Sequence, residues 1–297
     1  MISVVICSAN AARTIQVREN IAATIGVAHE IIVISNAKEL GGMCAGYNTG
    51  AGKAAYDFLC FVHDDVEFLT NDWGKELIAG FSQDTRLGLI GIAGSRYKSK
   101  TLSGWWTGLP EADCCSIFQR TPKGNNRRIT LRPPGMEGKR IPVRTLDGVL
   151  LCMPKKVWQQ YPFNTKLKGF HFYDLDISLR ISQQYTVAVA YNIDLVHFSP
   201  GGFGDEWIQG AIRFHEQESE VALPCSIDGI TSDEQERKVC FSWLQRLRLE
   251  HISKANRERW VEASGARNFP GSKRYIAGFF FPYIAQLKMK LIALLSR

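Results

Sequence analysis

Several signals are missing from this 297-residue sequence, and each absence excludes something. None of its eight cysteines (Cys7, Cys44, Cys60, Cys114, Cys115, Cys152, Cys225, Cys240) are paired as C-x-x-C, so no structural-zinc signature is present. Cys7, Cys60 and Cys152 fall inside apolar runs, where cysteine acts as a small hydrophobe; reduced thiols suit a cytoplasmic protein. No window of 18 uninterrupted apolar residues occurs, so no membrane span is expected. The apolar start, Met1 to Cys7, lacks a basic leading stretch and is too short for a secretory signal. Internal repeats and low-complexity segments are absent. Acids are scarce in two places. Arg120 to Arg144 holds eight Lys or Arg against Glu137 alone, and Lys273 to Arg297 holds five against none. With a net charge of +7, this surplus suits a phosphate-bearing partner or a solvated basic face.

What is present is ordinary globular material, 45% hydrophobic and 22% charged, in a chain long enough for one large α/β domain with an appendage. The organising stretch is Phe58-Leu59-Cys60-Phe61-Val62-His63-Asp64-Asp65-Val66-Glu67. Five apolar residues with aromatic and β-branched members predict a buried strand. The histidine and two carboxylates that follow offer nitrogen and hard-oxygen ligands at a sheet edge; a helix or turn start is the plainer reading.

Around it the chain reads as βαβ units. Ser3–Cys7 and Glu30–Ser35 predict strands separated by a helix over about 13–25. Gly41 to Lys53 is glycine-rich but is not a phosphate loop, because Gly52-Lys53 is preceded by Tyr47 at the first glycine position and followed by Ala54. It reads as a small-residue helix, 45–56, packed tightly on the sheet. Asn71-Asp72 is expected to cap a helix over 73–81. Leu87–Gly94 predicts a further strand. Residues 95–144 are loop-rich, with short antiparallel strands at 129–131 and 143–146. Asp147-Gly148 turns into a buried strand at 149–153, Pro154 opens a short helix, and another helix starts near Asp174. Strands follow at 186–191 and 194–198, then helices over 206–221 and, as one long run, 232–262.

His63-Asp64-Asp65, Asp174 with Asp176, and His197 all sit at strand ends or a helix start, which an open α/β sheet gathers on one edge. Their order resembles the GT-A nucleotide-sugar glycosyltransferases of the inverting family 2, over about residues 2–204. Ser3–Asn10 resembles the nucleotide-binding first strand and turn. Asn48 and Gly50 resemble the Asn-x-Gly helix ahead of the metal strand. His63-Asp64-Asp65 stands at the Asp-x-Asp motif, Tyr173-Asp174-Leu175-Asp176 at the segment bearing the catalytic base, and His197 at a later metal ligand. The chain departs from the pattern at His63, where the first Asp is usual, at Tyr173, where Glu is common, and at Ser35-Asn36, where an Asp often reads the base.

The resemblance implies a three-layer, Rossmann-like GT-A fold with a mostly parallel central sheet over 1–204 and a helical extension over 205–297. It implies a nucleoside-diphosphate sugar, of the uridine type, as donor. Ser8, Asn10, Ser35, Asn36, Asn48, Asp64, Asp147 and Gly148 are the expected donor-binding residues, and Asp65, His197 and His63 the ligands of Mn²⁺ or Mg²⁺. The acceptor is a carbohydrate, a lipid-linked saccharide or a similar hydroxyl compound; nucleic acid is not expected. A metal offsets the charge of the leaving diphosphate. Asp174 takes the acceptor proton, its basicity lowered and its charge kept by the helix dipole, and one base opposite the leaving group implies inversion. Asp176 reads as structural, Trp105, Trp106 and Trp207 as packing with sugar stacking as the alternative, and His171 as a loop residue near the acceptor. The basic, aromatic tail, 273–297, is expected either to rest on anionic lipid at the inner face of the cell membrane or to pack on this domain or a second copy. A sugar nucleotidyltransferase and a non-catalytic nucleotide- or glycan-binding scaffold are the rival readings.

Overall fold

The computed structural model describes residues 1–35, 37–199 and 201–281. The predicted strands assemble because their apolar residues alternate between two faces of one sheet. In β1 (Ile2–Cys7), Ile2, Val4 and Ile6 join one apolar cluster and Val5 the other; in β3 (Phe58–Val62), Cys60 and Val62 face the first, Leu59 and Phe61 the second. The main sheet has seven strands. From one edge they are β10 (Arg140–Val143), β13 (Thr186–Ala190), β5 (Leu87–Gly91), β12 (Leu150–Pro154), β3, β1 and β2 (His29–Ile34). Five run in one direction; β12 and β10 run against them. The sheet is therefore mostly parallel, with an antiparallel strand at its centre.

Helices α1 (Ala11–Thr24) and α3 (Trp73–Gln83) cover one face. On the other lie α2 (Met43–Lys53), α4 (Lys155–Gln160), α5 (Tyr173–Ile181) and α6 (Asp205–Arg213). The small-residue helix is α2, and it packs as closely as its glycines predict: a Cβ on Gly50 would lie 2.2 Å from Val5 Cγ1, and one on Gly46 would lie 2.8 Å from Cys7 Sγ. A second sheet, β11 (Thr145–Leu146), β6 (Ala93–Ser95), β8 (Asp113–Arg120), β14 (Leu195–His197) and β4 (Val66–Phe68), stands at the carboxyl edge of the first, with β9 (Asn126–Leu131) paired to β8.

The last third joins the same core. α7 (Asp233–Leu247), α8 (Lys254–Ala263) and α9 (Lys273–Phe280) bury Trp243, Trp260 and Phe279 in the cluster that holds α2 and α5. β7 (Tyr97–Lys98) and β15 (Cys225–Ser226) pair below them. Glu236 on α7 is buried and accepts hydrogen bonds from Tyr97 Oη (2.5 Å), Ser99 Oγ (2.9 Å) and Lys100 N (3.2 Å). The Trp260 indole N–H donates to Leu102 O. Lys98 is wholly buried; burial pushes its ammonium group down to about 7, and it donates to Ser99 O, to Ser103 O and Oγ, and to His215 Nε2. These bonds hold the 99–107 loop against the C-terminal helices.

Several local expectations change. The predicted 87–94 strand splits at Ile92 into β5 and β6, which belong to different sheets. The expected run 232–262 is two helices broken at 248–253. Asp72 precedes α3 in a left-handed conformation (φ 60°) and makes no side-chain cap; its carboxylate pairs with Lys75 at 2.9 Å instead. Pro154 ends β12 opposite Phe58 and is also the N-cap of α4, one place before the first helical position expected for it. The longest strand, β8, was not foreseen, because Asp113-Cys114-Cys115-Ser116 breaks the apolar pattern. Of the basic tail, 273–280 packs on protein through the Phe241–Tyr275 stack and buried Phe279. The remainder of the expected membrane- or partner-binding tail, 282–297, lies outside the described residues, as does Asn36. Among the described residues no helix is long and apolar enough to cross a membrane.

Candidate active site

β3 ends at Val62, and β12, running against it, begins at Leu150 directly opposite. The antiparallel strand therefore delivers its leading turn, Asp147-Gly148, to the same edge that β3 delivers His63-Asp64-Asp65; His63 N donates to Val149 O at 3.2 Å. In the second sheet β14 pairs with β4 in a register that sets His197 against Val66, and Phe198 N donates to Asp65 O at 2.9 Å. α5 starts beneath this edge. His63, Asp64, Asp65, Asp147, Gly148, Asp174 and His197 consequently line one cavity of about 770 Å³.

His63, Asp65 and His197 place three donor atoms within 4.8 Å of one another. His63 Nδ1 lies 3.9 Å and His197 Nε2 3.5 Å from Asp65 Oδ1. Donors bound at about 2.1 Å to one ion stand about 3–4 Å apart, so the spacing and the nitrogen–oxygen–nitrogen chemistry fit a divalent metal. Burial pushes Asp65 upward, but the hydrogen bond and charge of His197, then the charges of His63 and Arg13, outweigh it and hold the carboxyl below its usual range. Burial lowers His63 below the ordinary imidazole value, against the charges of Asp147, Asp65 and Asp64.

Asp174 is not the N-cap of α5. Phe172 holds that place with φ 69°, and Asp174 sits in the first turn. Its Oδ2 accepts from Gly148 N at 3.0 Å and its Oδ1 from Leu175 N at 2.9 Å. The expected lowering of its basicity is reversed. Burial first, and the charge of Asp147 second, push its pKa up to about 7, against the smaller effect of the backbone donors. A carboxylate with a pKa near neutrality is a competent general base. Neighbouring Tyr173 is buried, and its hydroxyl meets His63 Nε2 at 2.7 Å and Gly148 O at 3.3 Å. Gly148 thus binds the base through its N–H and Tyr173 through its carbonyl. Asp176, as expected, is structural: it is buried against Arg180 at 2.7 Å.

The expected donor-binding residues divide. Asp64 accepts from Ser8 Oγ at 2.5 Å and lies 3.8 Å from Arg13 Nη1, and both Asp64 and Arg13 face the cavity. Asn10 caps α1 by accepting from Arg13 N, and Ser35 is exposed at the end of β2, neither of them lining the cavity. Asn48 is engaged elsewhere: its amide donates to Phe163 O and accepts from Phe163 N and Trp158 Nε1, which ties α2 to the loop after α4.

The tryptophans expected to pack or to stack on sugar stand on the opposite wall of the cavity. Trp105 and Trp106 are half-buried and line the cavity with Phe170, His171 and Phe203. Behind them Trp207 stacks on Trp243, with centroids 4.9 Å apart and planes 7° apart, and Trp243 Nε1 donates to Trp106 O at 2.9 Å. Arg246 lies 4.3 Å above the Phe203 ring and pairs with Glu250. Sequence reasoning missed Trp243 and Arg246, since an aromatic and a cation on an amphipathic helix carry no sign of the cavity they will face.

The family model described as glycosyltransferase-like matches residues 1–220. No curated protein matches the chain. The structure is similar to GalNAc-T7 solved with UDP, GalNAc and Mn²⁺ (TM-score 0.50, 12% identity, 96% of this chain and 56% of that one). It thus spans just over half the length of that protein. It is also similar to S. aureus TarS 1–349 (TM-score 0.50, 14% identity, 91% of this chain and 81% of that one) and to the same fragment in complex with UDP (TM-score 0.50, 12% identity, with the same coverage). At these identities the likeness establishes the GT-A fold.

Proposed function

The chain belongs to the glycosyltransferase-like family, and from that premise we propose that it transfers a sugar, with inversion, from a nucleoside-diphosphate donor to a hydroxyl acceptor bearing a saccharide. The observation that carries this reading is the opening of Asp174 and the His63–Asp65–His197 cluster onto one cavity, joined through Gly148. His63, Asp65 and His197 would hold Mn²⁺ or Mg²⁺, which supplies charge neutralisation for the departing diphosphate. Uridine diphosphate with Mn²⁺ is the first donor system to try, since similar structures were solved with them.

The chain's own residues supply the rest. Arg13, half exposed at the mouth beside Asp64, is placed to meet phosphate oxygens. Asp174 accepts the acceptor proton, held in aim by Gly148 N and Leu175 N. Tyr173, Phe170 and Trp106 wall the cavity with apolar surface, which excludes water from the reacting centre. With Asp174 serving as base for the acceptor hydroxyl, a single displacement inverts the anomeric carbon. The test is product stereochemistry: the anomeric ¹H–¹H coupling of the product glycoside is expected to report inversion, with turnover lost in EDTA and restored by Mn²⁺. A retained configuration would sink the mechanism. Tight nucleotide binding without turnover on any donor would instead support the scaffold reading. Trp207, Trp243 and Arg246 are read as part of the acceptor side, and α7–α9 lie beyond the family match.

Trp106 is read as a stacking platform for the acceptor ring, its backbone held by Trp243. Trp106→Ala is expected to raise acceptor KM about tenfold, the loss of about 1.4 kcal/mol of ring contact. Nucleotide affinity, measured by calorimetry, should stay at the wild-type value. An unchanged acceptor KM would remove Trp106 from the acceptor site.

A further inference from the structure

The two positions where the metal and base motifs leave the family pattern touch each other. His63 stands for the first Asp and Tyr173 for a Glu, and the structure joins them at 2.7 Å, Nε2 to Oη. A tyrosine hydroxyl has one proton to give and lone pairs to accept with. Gly148 O, 3.3 Å away, is a carbonyl and can only accept; with the tyrosine proton directed to it, the short contact is made by His63 Nε2–H donating to Tyr173 Oη. A neutral imidazole protonated at Nε2 carries its lone pair on Nδ1, and it is Nδ1 that faces Asp65 Oδ1 at 3.9 Å. The position of the Tyr173 hydroxyl oxygen is fixed by its ring. Its ring is buried against Tyr47 (5.6 Å between centroids), Phe163 (6.1 Å) and Phe170 (6.4 Å).

We propose that Tyr173 is a positioning residue which fixes the His63 tautomer, so that Nδ1 completes an N₂O donor set with Asp65 and His197 that favours Mn²⁺ over Mg²⁺. Metal-binding histidines are generally held this way, by a partner for the ring nitrogen that does not bind. Two imidazoles and one carboxylate are softer than a pair of carboxylates, and Mg²⁺ prefers oxygen ligands and gives up its waters reluctantly. The two departures are then a single change: the histidine needs the hydroxyl, and a Glu at position 173 would supply an acceptor with a full charge inside a buried aromatic setting.

The inference rests on the reading of this cluster as a divalent-metal site, and the experiment separates the two. In the full-length chain without metal, long-range ¹H–¹⁵N correlations of ¹⁵N-histidine protein, with His63 assigned through His63→Gln, are expected to show the Nε2–H tautomer. An Nδ1–H tautomer overturns the proposal, and this readout needs no variant of Tyr173. Titration with Mn²⁺ alone, followed by electron paramagnetic resonance, is expected to show binding that Tyr173→Phe weakens about tenfold or more. Mg²⁺, measured by competition, should bind more weakly than Mn²⁺ in the wild type. In a His63→Asp background the Tyr173→Phe change should have no further effect on Mn²⁺, an outcome that a merely packing role would not produce. Wild-type Mn²⁺ binding left unchanged by Tyr173→Phe, or equal loss in both backgrounds, overturns the positioning role while leaving the metal site intact. Absence of Mn²⁺ binding in the wild type overturns the metal reading itself.

Discussion

Asp174→Asn is expected to lower kcat for sugar transfer by about 10²–10⁴-fold while leaving nucleotide affinity within twofold of wild type, the signature of a lost general base. The substitution preserves size and one acceptor for the Gly148 and Leu175 amides, but its amide nitrogen takes no proton. The pH profile adds a second readout. With the wild-type carboxyl raised to about 7, the ionised base accumulates as pH rises through neutrality, so kcat should climb and level off above pH 7; the residual rate of the variant should lack that limb. Stability moves the opposite way. A carboxyl whose folded pKa lies above its unfolded value of about 4 leaves the folded state holding more protons between the two. Wild-type stability therefore falls as pH rises from about 4 to 7 through this group. The melting temperature of Asp174→Asn relative to wild type should improve over the same window. A variant with wild-type kcat, or one whose relative stability is flat from pH 4 to 8, would show that Asp174 is not the buried base described.

Gly148→Ala is expected to damage the site and the fold together. Gly148 does not lie in the left-handed region, so its glycine is required by space rather than by backbone conformation. An added Cβ would lie 2.1 Å from Tyr173 Oη and 2.6 Å from Cζ. Neither side has room to yield, since Tyr173 is packed among aromatic rings and the Gly148 N–H is bonded to Asp174. Overpacking of this kind costs about 1–3 kcal/mol. Because Gly148 aims the base through its N–H and holds the residue that contacts His63 through its carbonyl, a displacement of about 1 Å should lower kcat/KM by about 10²-fold or more and weaken Mn²⁺ binding as well. Denaturant unfolding, steady-state kinetics and a Mn²⁺ titration on the same preparation check all three. Retention of wild-type melting and metal affinity would mean that the 147–148 turn is softer than its contacts imply.

Much of this was legible from local pattern. The continuous apolar runs of Ser3–Cys7, Phe58–Val62 and Thr186–Ala190 specified buried strands, because a strand buried on both faces tolerates little else. Gly46 and Gly50 announced a helix lying close on the sheet, and the structure shows that contact at Val5 and Cys7. His63, Asp65, Asp174 and His197 could be named because polar residues at the ends of apolar runs must surface at a sheet edge. Other readings failed where composition carries no direction. Asn48 matched a motif yet its amide bonds Phe163 and Trp158, away from the cavity. Asp174 was expected to have its basicity lowered by a helix terminus, whereas desolvation and Asp147 raise its pKa. Both depend on neighbours far away in the chain.

The sequence by itself determined that this is an α/β protein of the glycosyltransferase-like family, with His63 and Tyr173 beside its candidate metal and base residues. Periodicity and polarity are local properties, and a chain displays them without folding. Only the tertiary structure decided that β12 runs against β3, so that Gly148 arrives between Asp174 and Tyr173. It also decided that α7, beyond the matched family region, closes the cavity with Trp243 and Arg246. Strand direction and helix docking are set by the burial of surfaces distant in sequence, and they alone bring the two unusual residues, His63 and Tyr173, into contact.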